Sequence, residues 1–172
     1  MVTERADQAV HKALIVIDMQ VGVSPLYHGD DVRSRIRERV DTFHRANKPV
    51  IFVQHTDEDL PLGSPQWQLV AGLGQQPSDF YVRKTHADSF YHTNLTDVLT
   101  SVDARTIEIC GAEIPYCLDA TIKAAFDREY HIELAHGTAS MTESAGQSIP
   151  TKLLVEHYHQ VWDGRFVTYI ED

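Results

Sequence analysis

Two hydrophobic patterns alternate along the chain. The first is the short continuous apolar run, as in Ala13-Leu14-Ile15-Val16-Ile17 and Val50-Ile51-Phe52-Val53. Such runs suit strands covered on both faces, the mark of a parallel sheet with helices on each side. Phe80 to Arg83, Thr106 to Cys110, His131 to Leu134 and Phe166 to Ile170 read as further strands. The second pattern has helical spacing. Val32, Ile36, Val40 and Phe43 form the inner stripe of a helix running from Asp30 or Asp31 to about Asn47. Leu95, Val98, Leu99 and Val102 mark a short helix over 94–102, with Asn94 and Asp97 as a cap pair. Leu118 to Tyr130 and Ile149 to about His159 complete the set, the last with Leu153 and Leu154 inward. Strands alternating with helices predict a doubly wound α/β fold with right-handed crossovers.

The polar positions add chemistry where strands stop. In open α/β sheets, ligands bind beyond the carboxyl ends of the strands. Asp18 follows the first run, His55 closes the second and Lys84 follows the third. The fourth strand leads into Cys110-Gly111-Ala112-Glu113-Ile114-Pro115-Tyr116-Cys117 and then a helix. That arrangement hands a thiol to a helix N-terminus, whose unpaired N–H groups favour the thiolate. Each residue also has a structural reading: Cys117 as a small buried filler, Asp18 as a cap, Lys84 as a surface charge.

Composition narrows the class. The 172 residues suit a single domain, with residues 1–11 as a charged lead-in. The net charge is −10 and no basic block occurs, which argues against nucleic acid as a partner. No apolar run reaches membrane-spanning length, and no apolar signal core opens the chain. Cys110 and Cys117 show neither disulfide nor zinc-ligand spacing, so a reducing, cytoplasmic setting is expected. The long Gly/Pro-rich stretch over 56–78 is a candidate pocket wall, with Trp67 either over a pocket or pinning the loop.

In order, Leu14 to Gln20, Val82-Arg83-Lys84-Thr85 leading to Ser89-Phe90, and Cys110-Gly111 through Cys117 to Phe126 resemble the isochorismatase-like cysteine hydrolases, the family that includes nicotinamidases. The resemblance covers nearly the whole chain. It implies a three-layer α/β/α sandwich around a mostly parallel six-stranded sheet, and a homo-oligomer acting on a small-molecule substrate. It implies Cys117 as nucleophile, Asp18 as general acid/base and Lys84 as the third catalytic member. The implied oxyanion donors are the backbone N–H groups of Glu113 and Cys117, after a cis Ala112–Glu113 peptide.

Ile114-Pro115 stands where many members carry Thr-Asp or Thr-Glu, and Ile114 cannot hydrogen-bond as Thr would. The nicotinamidase metal motif Asp-x-His is missing after the second strand, so neither metal nor other cofactor is expected. Leu26, His55, Trp67, Phe90 and Tyr116 are the candidate pocket residues. The expected reaction is hydrolysis of a C–N bond in a small amide or lactam through a thioester. The alternatives are vinyl-ether hydrolysis of the isochorismatase type, against which Cys117 counts, and a catalytically silent binding module.

Overall fold

A computed structural model describes residues 11–171 except Ala145. The strands are β1 (Lys12–Ile17), β2 (Val50–His55), β3 (Phe80–Lys84), β4 (Thr106–Gly111), β5 (His131–Ala135) and β6 (Thr168–Ile170). They form one six-stranded sheet in the order β3-β2-β1-β4-β5-β6. Every pairing is parallel. The chain moves outward from β1 through β2 to β3, then crosses back to β4 on the other side of β1. The β1/β4 border is therefore the topological switch point, where a crevice opens at the carboxyl edge.

Helices cover both faces. On one face lies α1 (Gly29–Arg45), which buries Val32, Ile36, Val40 and Phe43 against Leu14, Val16, Val50 and Phe52. Each such side chain contributes about 1.5–3 kcal/mol on leaving water. Asp30 and Asp31 in the first turn and His44 and Arg45 in the last complement the helix dipole. On the other face lie α2 (Leu95–Ser101), α3 (Asp119–Asp127) and α4 (Thr151–Trp162). Leu95, Leu99, Ile122, Ala125 and Trp162 pack there on Ala13, Ile15 and Ile17. This is an α/β/α sandwich.

Two local expectations change. The last helix runs on to Trp162, which is wholly buried and donates its indole N–H to Asp119 Oδ1 at 2.8 Å. Leu153, read from its spacing as inward, is 53% exposed; Leu154, Val155, Tyr158 and Val161 form the packed stripe instead. The terminal strand is shorter than its apolar run, because Phe166 belongs to the turn after α4 and packs edge-on against Phe126. The charged lead-in falls outside the described residues up to residue 10. Among the described residues no helix is long and apolar enough to cross a membrane.

Candidate active site

Register brings the chemistry to one edge. Ile17 pairs with Val53 and Gly111, and His55 pairs with Lys84, so β1 to β4 end close together. Asp18 follows β1 in a left-handed conformation, φ 51°, which Asp tolerates better than most residues. Its N–H donates to Val53 O at 2.9 Å. Lys84 is the last residue of β3, and alternation with Val82 turns it to the face that carries α3. It is 1% exposed.

The Lys84 ammonium joins the parts. Nζ lies 2.8 Å from Asp18 Oδ2 and 3.2 Å from Cys117 Sγ. It also donates to His86 O at 3.1 Å and meets His55 Nδ1 at 3.2 Å. An ammonium has donors only, so Nδ1 of His55 can meet it only as an acceptor. Nε2 of His55 faces Asp57 Oδ2 at 3.0 Å. Asp18 Oδ1, buried, has no hydrogen-bond partner. Thus, among the described residues, one carboxylate oxygen is held by Lys84 and the other has no hydrogen-bond partner.

The segment after β4 is built for close approach. Gly111 has φ +117°, and a Cβ there would lie 2.0 Å from Ile17 O. Ile17 O instead accepts the Ala112 N–H at 2.9 Å. The Ala112–Glu113 peptide is cis. Ile114–Leu118 then makes a single π-helical turn, with Pro115 among its first residues, and α3 continues from Asp119. Cys117 therefore sits in a wide turn ahead of the α-helix proper, not in the first α-helical turn. Single π-turns occur often at functional positions.

Support for this segment comes from a partner the sequence did not show. Gly111 N–H donates to Thr138 O, Ser140 N–H to Gly111 O, and Ile114 N–H to Ser140 O, at 2.9–3.0 Å. The Glu113 carboxylate accepts the Thr142 N–H, with both oxygens at 3.1 Å. The stretch after β5 thus holds the loop through backbone bonds, and Ile114 itself is fully buried in the core. On the other side, Ser89 and Thr121 bond each other at 2.9 Å and tie the segment after Lys84 to α3.

A cleft of ≈ 350 Å³ opens over the thiol, lined by Asp18, Gly22, Val23, His55, Asp57, Asp59, Leu60, Glu113, Tyr116, Cys117 and Thr142. His55 and Tyr116 lie in it, as the sequence suggested. Gln20 steadies His55, accepting its N–H and donating to its carbonyl. Leu26, Trp67 and Phe90 lie outside it. Leu26 faces a separate depression with Pro25 and Arg33. Trp67 pins its loop by donating to Thr56 Oγ1 at 3.0 Å. Phe90 is 5% exposed, stacks on Tyr130 and lies under the Arg128 guanidinium. Asp57, Asp59, Leu60 and Thr142 carried no sequence signal beyond an acidic run after His55. Among the described residues no group of three or more His, Cys, Asp or Glu side chains is placed to hold a metal ion.

The thiol is held in its neutral form. Burial, and next the negative charge of Asp18, push the Cys117 pKa up to about 12, against the opposing pull of Lys84. Burial and the adjacent carboxylate therefore set the direction, opposite to the one a helix N-terminus would favour. Cys110 is likewise driven up, by complete burial and then by the charge of Glu108.

Comparison with known proteins settles the lineage. The Isochorismatase domain family matches residues 12–158. The chain belongs to the isochorismatase family. A solved isochorismatase family protein is 37% identical and superposes with a TM-score of 0.89, covering 93% of this chain and 98% of that one. Streptothricin hydrolase of Streptomyces noursei is 30% identical over 73% of this chain and 52% of its own length. A ureidoacrylate amidohydrolase of Rhizobium rhizogenes is 26% identical over 62% of this chain and 38% of its own length. The chain thus matches about half, or less, of the length of these two curated relatives.

Proposed function

We propose that this isochorismatase-family enzyme hydrolyses a C–N bond of a small amide or lactam, with Cys117 as nucleophile, Asp18 as acid/base and Lys84 as the organising cation. The observation that carries the reading is the position of Lys84 Nζ, in reach of both Asp18 Oδ2 and Cys117 Sγ. The amidohydrolase and hydrolase relatives support the reaction class.

The neutral resting thiol makes proton transfer the first step. As the substrate carbonyl reaches the sulfur, Asp18 Oδ1 takes the thiol proton and the C–S bond forms. The carbonyl electron pair moves to oxygen. The oxyanion is received by the Cys117 and Glu113 N–H groups, in a segment anchored at Gly111 and Ile114 by main-chain bonds to Thr138 and Ser140. Collapse breaks the C–N bond, and Asp18 returns the proton to the departing nitrogen. A water then enters and gives its proton to Asp18, its oxygen bonds the acyl carbon, the C–S bond breaks, and Asp18 passes the proton to the departing sulfur to restore the thiol. Lys84 keeps the Asp18 carboxylate oriented throughout and faces the charge passing between oxygen and sulfur.

The test is a panel of small amides and lactams, followed by amine or ammonia release and by mass spectrometry of quenched enzyme. An acyl adduct on Cys117 during turnover is the expected result. Turnover without any adduct, retained in Cys117→Ala, would remove the mechanism.

A further inference from the structure

The cleft carries more negative charge than the reaction uses. Besides Asp18, the carboxylates of Asp57, Asp59 and Glu113 line it, and no Lys or Arg is among its lining residues. Lys84, the nearest cation, is buried behind the thiol and already engaged by Asp18. The acids are held in place. Asp57 Oδ1 accepts the N–H groups of Asp59 and Leu60, at 2.9 and 2.8 Å. Burial alone would raise the Asp57 pKa, but the Leu60 N–H, His55 and the Asp59 N–H together hold it below the ordinary carboxylate range. Glu113 is fixed by the Thr142 N–H, and burial, with the charge of Asp18, raises its pKa against that bond, so Asp57 carries the firmer charge.

Two further features shape the occupant. Val23 and Leu60 give the wall an apolar strip, and the Tyr116 ring, 65% exposed, offers a π-face at the opening. At the base, Asp18 Oδ1 is buried, lines the same cleft and has no partner. The base is arranged for reaction and the rim for recognition of charge.

We propose that the substrate is a cationic amide: a carboxamide or lactam bearing a protonated amine, which the Asp57, Asp59 and Glu113 rim receives while Cys117 attacks the carbonyl. This rests on Cys117 as nucleophile and names the substrate class of that same site. A carboxylate-bearing amide of equal size is disfavoured by the same charges.

The charge preference can be measured without turnover. In a Cys110→Ala background Cys117 is the sole thiol. Its rates of modification are compared for trimethylammonioethyl, methyl and sulfonatoethyl methanethiosulfonate, each divided by the rate for a small free thiol. The Cys117 thiolate attacks the sulfenyl sulfur, a disulfide forms and the sulfinate leaves, so the three reactions differ only in the group delivered. The expected result is a cation-over-anion ratio on the order of tenfold or more at low salt, shrinking as salt rises and reduced in Asp59→Lys.

In parallel, δ-aminovaleramide, valeramide and glutaramate are tested as substrates at one ionic strength. The ammonium amide should show the highest kcat/KM, with the advantage lost in Asp59→Lys. Equal thiosulfonate ratios, or a preference for the anion, would overturn the charge assignment even if amides are hydrolysed. A strong cation preference with no amide turned over would instead retire the amide reading, and this substrate class with it.

Discussion

Among the described residues two buried ionic clusters, one around Glu108 and one around Lys84, are built to opposite specifications. At the amino ends of the strands, on the α1 face, Glu108 is wholly buried and fully satisfied. Arg39 grips it with two N–H groups at 2.6 and 2.9 Å, and Lys12 adds a contact at 2.6 Å while reaching Glu133 on β5. At the carboxyl ends, on the opposite face, Asp18 keeps one oxygen unpartnered, and Lys84 has Asp18, Cys117, His55 and His86 O around it. A buried carboxylate with both oxygens held by cations acts as a structural fastener. One with a free oxygen beside a thiol has retained a capacity for proton transfer, at a cost to stability. Burial of charge alone does not mark a site; incomplete satisfaction does.

The comparison can be broken by substitution. The largest effect is expected from Cys117→Ala, which should lower kcat by about 10⁴-fold or more and leave the circular dichroism spectrum unchanged. Asp18→Asn should follow, with a loss of about 10²–10⁴-fold carried by kcat. If Asp18→Asn instead keeps full turnover, the free oxygen is not the proton acceptor.

Stability should divide the clusters in the other direction. Glu108→Gln strips the charge from a bidentate pair and should cost about 3–5 kcal/mol in denaturant unfolding, with kcat unchanged in the folded fraction. A parallel loss of kcat would show that the two clusters are coupled through the sheet. The smallest effect concerns the resting thiol. Because its pKa is raised to about 12, the thiolate fraction of Cys117 should grow tenfold per pH unit through and beyond pH 9. Alkylation of the free enzyme should therefore keep accelerating above pH 9, where an ordinary thiol levels off; a plateau near 9 would contradict the neutral resting state.

Most of the sheet was legible because doubly covered strands leave continuous apolar runs, and α1 because its stripe keeps a clean helical period. The strand-end placement of Asp18, Lys84 and Cys117 was legible for a related reason: each closes or follows a strand, and parallel strands end at one edge. The lining of the cleft was not. Asp57, Asp59 and Leu60 reach the thiol through an irregular loop, and no periodicity records where such a loop returns. Phe90 and Trp67 misled because an aromatic after a strand fits a pocket wall and a core anchor equally well. The π-turn was hidden too, since Pro115 suits the start of either kind of helix. The Cys117 pKa depended on burial and a neighbouring carboxylate, which only the folded arrangement supplies.

The contact between Gly111 and Ile17 has a consequence for how this enzyme can change. Any side chain at 111 would collide with the β1 backbone, and the same carbonyl that blocks it ties Ala112 to the strand bearing Asp18. The segment of the proposed nucleophile and its proposed base are thus joined by main chain as well as through Lys84, independently of the 57–60 loop and of the exposed Tyr116 ring. Descendants of this sequence, natural or made in the laboratory, are free to redraw the rim and exchange one substrate for another while inheriting an unaltered reaction centre. The position that tolerates no such experiment is the one with no side chain at all.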